Sequence, residues 1–84
     1  MKRILIVDDE KDMTWSLSRG LSKKFPDCQI LAANSFQEAR SPLEKKKIDF
    51  LITDFRMPDG DGIALIRMAQ RKNVRIFSVL MTAL

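Results

Sequence analysis

Three short apolar runs that end in acidic or hydroxyl residues constrain the fold of this chain more than any other feature. The runs are Arg3-Ile-Leu-Ile-Val-Asp8, Ile48-Asp-Phe-Leu-Ile-Thr-Asp54 and Val74-Arg-Ile-Phe-Ser-Val-Leu-Met-Thr82. Continuous apolar runs of this length are typical of strands buried on both faces, as in parallel sheets. In the last run the strand itself is predicted over 75–81. A weaker strand is predicted over 28–33, and Cys28 is expected to be a buried residue within it.

Helical patterns separate these strands. The spacing of Met13, Leu17 and Leu21 predicts a first helix with an apolar stripe that ends near Pro26. The second helix opens at Ser35 with a capping-box spacing to Glu38. Its predicted inner face consists of Phe36, Ala39 and Leu43, and Pro42 is expected to kink or shorten it.

A third helix is predicted to begin after Asp61, which takes the N-cap position. Its predicted buried residues are Ile63, Leu65, Ile66 and Ala69. Strand and helix therefore alternate along residues 1–84, which form one domain. The alternation predicts an α/β fold, a flavodoxin-like doubly wound parallel sheet with four strands and three helices. Ligands of such sheets bind beyond the carboxyl ends of the strands.

Composition excludes several kinds of site. The chain has one cysteine and no histidine, so neither a disulfide nor a zinc site is expected. The net charge of +4 comes from basic residues dispersed among the helix ends, which favours solvated surfaces over a nucleic-acid interface. Neither a membrane span nor a signal peptide is recognisable, so a cytoplasmic location is expected.

The acids at the strand ends predict the chemistry. If the first and third strands are neighbours, the carboxylates of Asp8, Asp9 and Asp54 converge. Like charges held this close must share protons or bind a cation, and oxygen ligands suit Mg²⁺. A carboxylate beside Mg²⁺ can attack phosphorus, and Asp54 is the candidate nucleophile. Thr82 would place a hydroxyl donor near a phosphoryl oxygen.

Three successive motifs also carry a family resemblance. Ile6-Val7-Asp8-Asp9-Glu10, Thr53-Asp54-Phe55-Arg56-Met57-Pro58-Asp59-Gly60-Asp61-Gly62 and Met81-Thr82-Ala83 occur in this order. Their order and spacing resemble those of the response-regulator receiver family of two-component systems. The long central motif is the most specific of the three. Trp15 and the residues that follow Asp54 look most like those of receivers attached to transcriptional activators.

The resemblance implies roles for individual residues. Asp54 would accept a phosphoryl group from the phosphohistidine of a sensor kinase, in a signalling rather than an enzymatic role. Asp9, Asp54 and the main-chain carbonyl of Arg56 would hold Mg²⁺, and Asp8 would act through a water. The Thr82 hydroxyl and the Ala83 amide would bind phosphoryl oxygens. Pro58 and Gly62 would shape the loop.

The resemblance also implies a further helix, strand and helix after Leu84, with a lysine that pairs with the phosphoryl group. No lysine follows Lys72 in this sequence. The chain is therefore expected to be a truncated receiver domain, with the strand 75–81 at the edge of its sheet. Such an edge favours self-association, for example dimerisation, or capture of a partner protein.

Two functions of different classes remain open. The first is phosphorylation-dependent signalling through Asp54. The second is a phosphorylation-independent interaction module that binds a partner or a second copy. A haloacid-dehalogenase-like phosphatase would need Asp-x-Asp directly after the first strand, and Asp8-Asp9-Glu10 lacks that spacing.

Overall fold

A computed structural model describes residues 1–82 of the chain. In chain order the elements are β1 (Arg3–Val7), α1 (Lys11–Lys24), β2 (Gln29–Ala33), α2 (Phe36–Lys45), β3 (Phe50–Asp54), β4 (Arg56–Met57), β5 (Gly60–Asp61), α3 (Gly62–Lys72) and β6 (Phe77–Met81). Four strands form a parallel sheet in the order β2-β1-β3-β6, and β4 pairs with β5 in a small antiparallel hairpin. The predicted α/β class, the parallel sheet of four strands and the three helices are confirmed, whereas the short β4–β5 hairpin was not predicted.

The two faces of the sheet are covered unequally. Leu5, Val7 and Leu51 point to one face, where they form the core together with residues of α2 and α3 such as Leu43 and Leu65. Because side chains alternate along a strand, the neighbouring residues of β1 and β3 point to the opposite face. There α1 covers only part of the sheet, and an apolar groove remains beside it. Its lining consists of Ile4, Leu21, Phe25, Cys28, Phe50, Ile52, Phe77 and Val79.

Side-chain caps start the second and third helices where the sequence predicts them. The Ser35 hydroxyl accepts a hydrogen bond from the Glu38 amide at 3.0 Å, and the Asp61 carboxylate accepts one from the Ala64 amide at 2.7 Å. The capping box is incomplete, because the Glu38 carboxylate binds the amide of Asn34 instead of that of Ser35. These bonds satisfy amides that have no partner inside the helix.

Several expectations about element boundaries and buried residues are wrong. The strand predicted over 75–81 begins at Phe77, because the Asn73 side chain accepts the Arg75 amide and holds a turn before it. Helix α2 includes Pro42 and ends three residues later, at Lys45. Cys28 precedes β2 and is only partly buried, since it lies at the rim of the open groove.

The helical stripes are also shifted by tertiary packing. Met13 is 43% exposed, and the buried residue of α1 is Thr14. The Thr14 hydroxyl receives a hydrogen bond from the Asn34 side chain, which makes burial of this polar group acceptable. Ile63 is 40% exposed, whereas Leu65 and Ala69 are buried as predicted.

Gly62 lies at a close approach between the start of α3 and the end of β3. A Cβ atom there would lie 2.2 Å from the main-chain oxygen of Asp54 and 2.9 Å from the Leu80 side chain. The Gly62 amide also donates to the Phe55 carbonyl at 2.7 Å. Any larger residue must push the start of α3 away from the end of β3.

We predict that Gly62→Ala lowers the free energy of unfolding by about 1–3 kcal/mol, as overpacking usually does. Gly20→Ala is the matched control, since a Cβ at this position in α1 meets nothing within 4 Å. There the better helix propensity of alanine should raise stability by about 0.5–1 kcal/mol. Urea unfolding followed by circular dichroism measures both, and equal effects of the two substitutions would contradict the close approach at Gly62.

Candidate functional site

Parallel pairing of β1 with β3 brings three carboxylates together at one end of the sheet. Val7 lies opposite Thr53 in this ladder, so the next residues, Asp8 and Asp54, leave the sheet side by side. Oxygen atoms of Asp8, Asp9 and Asp54 all lie within 4.8 Å of one another. The convergence expected from the strand ends is therefore present.

Asp8 is the most buried member of this acid cluster. It is only 7% exposed, whereas Asp9 is exposed and Asp54 is partly buried. Burial raises the pKa of the Asp8 carboxyl, and the negative charges of Asp54 and Asp9 raise it further. One hydrogen bond from the Glu10 amide, at 2.9 Å, lowers this pKa and offsets part of the effect. The cluster thus carries unfavourable negative charge that a cation would relieve.

Asp54 is held by one of its two carboxylate oxygens. Its Oδ1 accepts a hydrogen bond from the Phe55 amide at 2.9 Å, and the same amide donates to the Met81 carbonyl at 3.0 Å. Within residues 1–82, Oδ2 of Asp54 receives no hydrogen bond. One oxygen therefore orients the carboxyl group while the other is available for reaction or for a ligand.

The other predicted site residues surround this carboxylate to different degrees. Asp54 pairs with Met81 in the β3–β6 ladder, so Thr82 is the first residue beyond the paired end of β6, and it is exposed. Arg56 lies two residues after Asp54 at the start of the β4–β5 hairpin, and Pro58 lies exposed within that hairpin. Ala83 lies outside the described residues.

Two residues that sequence reasoning did not select also border the site. The Asn34 side chain donates to the Asp8 carbonyl and to the Thr14 hydroxyl, both at 2.9 Å. The Asp59 carboxylate accepts the amides of Phe36 and Gln37, at 2.9 and 3.0 Å. Asp59 and Gly60 form a recognisable turn signal, but their docking on α2 joins residues more than twenty positions apart, and no local pattern indicates it.

The donor set fits a hard divalent cation. The cluster offers only carboxylate oxygens, and main-chain carbonyls lie in the adjoining loop; Mg²⁺ binds such ligands together with water. The chain contains no histidine and its single Cys28 lies on the rim of the apolar groove, so softer ligands are missing from the site. Among residues 1–82, no helix is both long enough and apolar enough to cross a membrane.

An α/β sheet with an acid cluster of this kind at its carboxyl edge is the arrangement expected of a phosphoacceptor module of signalling proteins. The family model of the response regulator receiver domain matches residues 4–84, and the chain belongs to this family. Receiver domains accept a phosphoryl group on an aspartate, generally bind Mg²⁺ at an acidic pocket and interact with sensor histidine kinases; they are not enzymes in general.

Individual relatives agree with this assignment. The response regulator protein PilR of Pseudomonas aeruginosa is 33% identical over 82 residues, which are 98% of this chain and 18% of the relative. The DNA-binding transcriptional regulator NtrC of Klebsiella pneumoniae is 32% identical over 78 residues, 93% of this chain and 16% of that protein. The chain thus spans less than a fifth of the length of these two regulators.

Solved structures show the same fold. The receiver domain of NtrC4 from Aquifex aeolicus superimposes with a TM-score of 0.81 at 30% identity, covering 100% of this chain and 68% of that one. The receiver domain of HemR from Leptospira biflexa gives a TM-score of 0.86 at 26% identity, covering 99% of this chain and 65% of that one.

We predict that Asp8→Asn raises the free energy of unfolding at neutral pH in the absence of Mg²⁺. A raised carboxyl pKa means that the folded state holds its proton more tightly than the unfolded state, so stability falls as pH rises above the ordinary value of 3.8 through the folded pKa. Removing this charge should stabilise by about 1 kcal/mol, a typical size for one substitution.

Urea unfolding with and without Mg²⁺ measures this effect. If Mg²⁺ binds the folded cluster and not the unfolded chain, it should raise the stability of the wild type. In Asp8→Asn the increment from Mg²⁺ should shrink. A variant that is less stable than the wild type without Mg²⁺ would contradict the account of charge repulsion.

Proposed function

We propose that this chain is the phosphoacceptor part of a response regulator, phosphorylated on Asp54 in a Mg²⁺-dependent reaction by a sensor histidine kinase. The observation that carries the proposal is the placement of Asp54 within 4.8 Å of the other two carboxylates with one of its oxygens unoccupied by hydrogen bonds from residues 1–82. A transcriptional regulator is the proposed output, because PilR and NtrC are regulators with matching receiver segments.

The proposed metal ligands are Asp9, Asp54 and the main-chain carbonyl of Arg56, with Asp8 acting through a water. When bound, Mg²⁺ would neutralise charge on the cluster and on the incoming phosphoryl oxygens. The Oδ2 atom of Asp54 then forms a bond to phosphorus while the bond between phosphorus and the donor's imidazole nitrogen breaks, and the imidazole keeps the electron pair.

Residues at the end of β6 are proposed to hold the transferred group. The Thr82 hydroxyl and the Ala83 amide would donate hydrogen bonds to phosphoryl oxygens, and movement of Thr82 would report phosphorylation. Beryllium trifluoride imitates a phosphoryl group in charge and shape, and the MaeR response regulator has been solved bound to it. That structure shares the fold with a TM-score of 0.85 at 26% identity. Pro58 and Gly62 shape the loop between Asp54 and α3.

Further parts of the proposal concern the setting of the protein. We place it in the cytoplasm, where receiver domains meet the catalytic parts of their kinases, and assign it no enzymatic activity of its own. Direct contact with nucleic acid is not proposed for this domain, because its basic residues lie mainly at helix ends such as Lys45 and Lys72.

Incubation with Mg²⁺ and acetyl phosphate tests the phosphorylation of Asp54. The intact mass of the wild type should increase by one phosphoryl group, and Asp54→Asn should show no increase. Omitting Mg²⁺ should slow the reaction by at least about 10-fold, because the charge of the cluster is then unshielded. Absence of a mass increase, under conditions that phosphorylate another receiver domain, would overturn the proposal.

A second candidate function is phosphorylation-independent self-association through the edge of the sheet at 75–81. Among residues 1–82, β6 pairs only with β3. The Phe77 amide and the Met81 carbonyl bond toward β3, so by alternation the main-chain groups of Ser78 and Leu80 point away from the sheet. The edge carries no charged residue or proline between Phe77 and Met81, the devices that usually protect such edges.

The partner that fits this edge best is a second copy of the chain. In an antiparallel pair centred on Val79, Ser78 of each copy lies opposite Leu80 of the other. The outward main-chain groups of these residues then face each other. The exposed apolar side chains Phe77 and Val79, at 62% and 41% exposure, would then gain cover. Because a paired edge buries less than a standard interface of roughly 1,600 Å², the association should be weak and concentration-dependent.

Val79→Lys should abolish this self-association, because two lysines would face each other at the centre of the paired strands. Val74→Lys is the matched control, since Val74 is 87% exposed and lies outside every strand. Sedimentation velocity up to about 1 mM protein, a range chosen for weak dimers, measures the mass, and circular dichroism verifies the fold. A wild type that stays monomeric would overturn this candidate.

A further inference from the structure

The amino-terminal end of α2 contacts both loops of the proposed metal site. On one side, the Asn34 side chain donates to the carbonyl of Asp8 at 2.9 Å. On the other, the Asp59 carboxylate, at the turn of the β4–β5 hairpin, accepts the first amides of α2. The short segment 34–38 therefore connects the loop that carries Asp8 to the hairpin that carries Arg56.

The hydrogen bonds of Asp59 are specific to this helix end. Its Oδ1 and Oδ2 atoms accept the amides of Phe36 and Gln37 at 2.9 and 3.0 Å, so each oxygen has its own donor. The Glu38 amide donates a hydrogen bond to the Ser35 hydroxyl, and the Ala39 amide donates one to the Ser35 carbonyl. The free amides of Phe36, Gln37 and Glu38 are thus satisfied, two of them by a residue from another part of the chain.

Charge and packing support the same docking. These two amides lower the pKa of the Asp59 carboxyl, which shows that they favour its charged form. The positive end of the helix dipole acts in the same direction. Gly60 lies against the ring of Phe36, and a Cβ on Gly60 would lie 2.6 Å from this ring. The tip of the hairpin is therefore held by both a charged and a steric contact.

The base of the hairpin is held separately. The Phe55 amide donates to the Met81 carbonyl at 3.0 Å, and the Gly62 amide donates to the Phe55 carbonyl at 2.7 Å. Met57 is buried in the core at 8% exposure. Arg56, whose carbonyl is a proposed metal ligand, lies exposed between the fixed base and the tip. Its main chain pairs with Asp61 in the hairpin, so contacts at the base and at the tip both bear on its position.

We propose that Asp59 is a positioning residue that fixes the β4–β5 hairpin, and with it the Arg56 carbonyl, by docking on the amino terminus of α2. This inference rests on the metal site proposed above. It has a reciprocal consequence: if Asp59 favours the metal-binding position of the hairpin, metal binding strengthens the docking by the same factor. The first amides of α2 then report the state of the acid cluster, although they do not touch it.

Mg²⁺ titration followed by amide NMR tests this inference on the full 84-residue chain. Asp59→Ala should raise the Kd for Mg²⁺ by about 10-fold, the lower end of the range for residues that support metal ligands. Asp59→Asn retains one carbonyl oxygen as acceptor, and it should restore part of the affinity. Asp27→Ala removes another exposed acid, at the opposite end of the sheet beside Lys2 and Arg3, and should leave the Kd unchanged.

Hydrogen exchange of the Phe36 and Gln37 amides provides a second readout that a purely structural role would not produce. In the wild type, saturating Mg²⁺ should slow their exchange, and in Asp54→Asn this slowing should disappear. An Asp59→Ala protein that is folded and binds Mg²⁺ as tightly as the wild type would overturn the inference and leave the metal site intact. A wild type that binds no Mg²⁺ would overturn both.

Discussion

The parallel pairing of β1 with β3 is the constraint on which the site depends. In this register Val7 lies opposite Thr53, so the chain leaves both strands at the same level with Asp8, Asp9 and Asp54 side by side. The buried strands leave these carboxylates little freedom to move apart. The repulsion among them is therefore built into the fold. Burial raises the pKa of Asp8, and this repulsion raises it further. Packing of the apolar strands supplies the stabilisation that offsets the repulsion, and a cation bound at the cluster would relieve it.

The amino termini of α2 and α3 contact the segments that surround the acid cluster. α3 begins directly after the hairpin, with Gly62 against the end of β3, and α2 begins where Asn34 and Asp59 meet it. A change at the acid cluster can reach α2 through two short hydrogen-bonded routes. One runs through the Asp8 carbonyl, and the other runs through the hairpin that contains Arg56.

Much of this architecture follows from local pattern. Apolar runs ending in Asp8, Asp54 and Thr82 predict parallel strands, although β6, the strand of the third run, is largely exposed instead of buried. Ser35 and Asp61 predict the starts of two helices, because N-caps are local interactions. The response-regulator receiver motifs are equally local, so they indicate the family without any tertiary information. Predictions failed at one strand boundary, at Cys28 and on helix faces. On the helix faces, Met13 and Ile63 have the spacing of buried residues but are exposed.

What the sequence by itself determined is the set of elements, their order and the identity of the acids, since these depend on short-range periodicity and residue chemistry. Only the tertiary structure decided that Thr14 is buried against Asn34 and that Asp59 binds α2. It also decided that one face of β3 and β6 forms an open apolar groove. The physical reason is that these features depend on contacts between residues that are distant in the sequence. Local periodicity carries no information about such contacts.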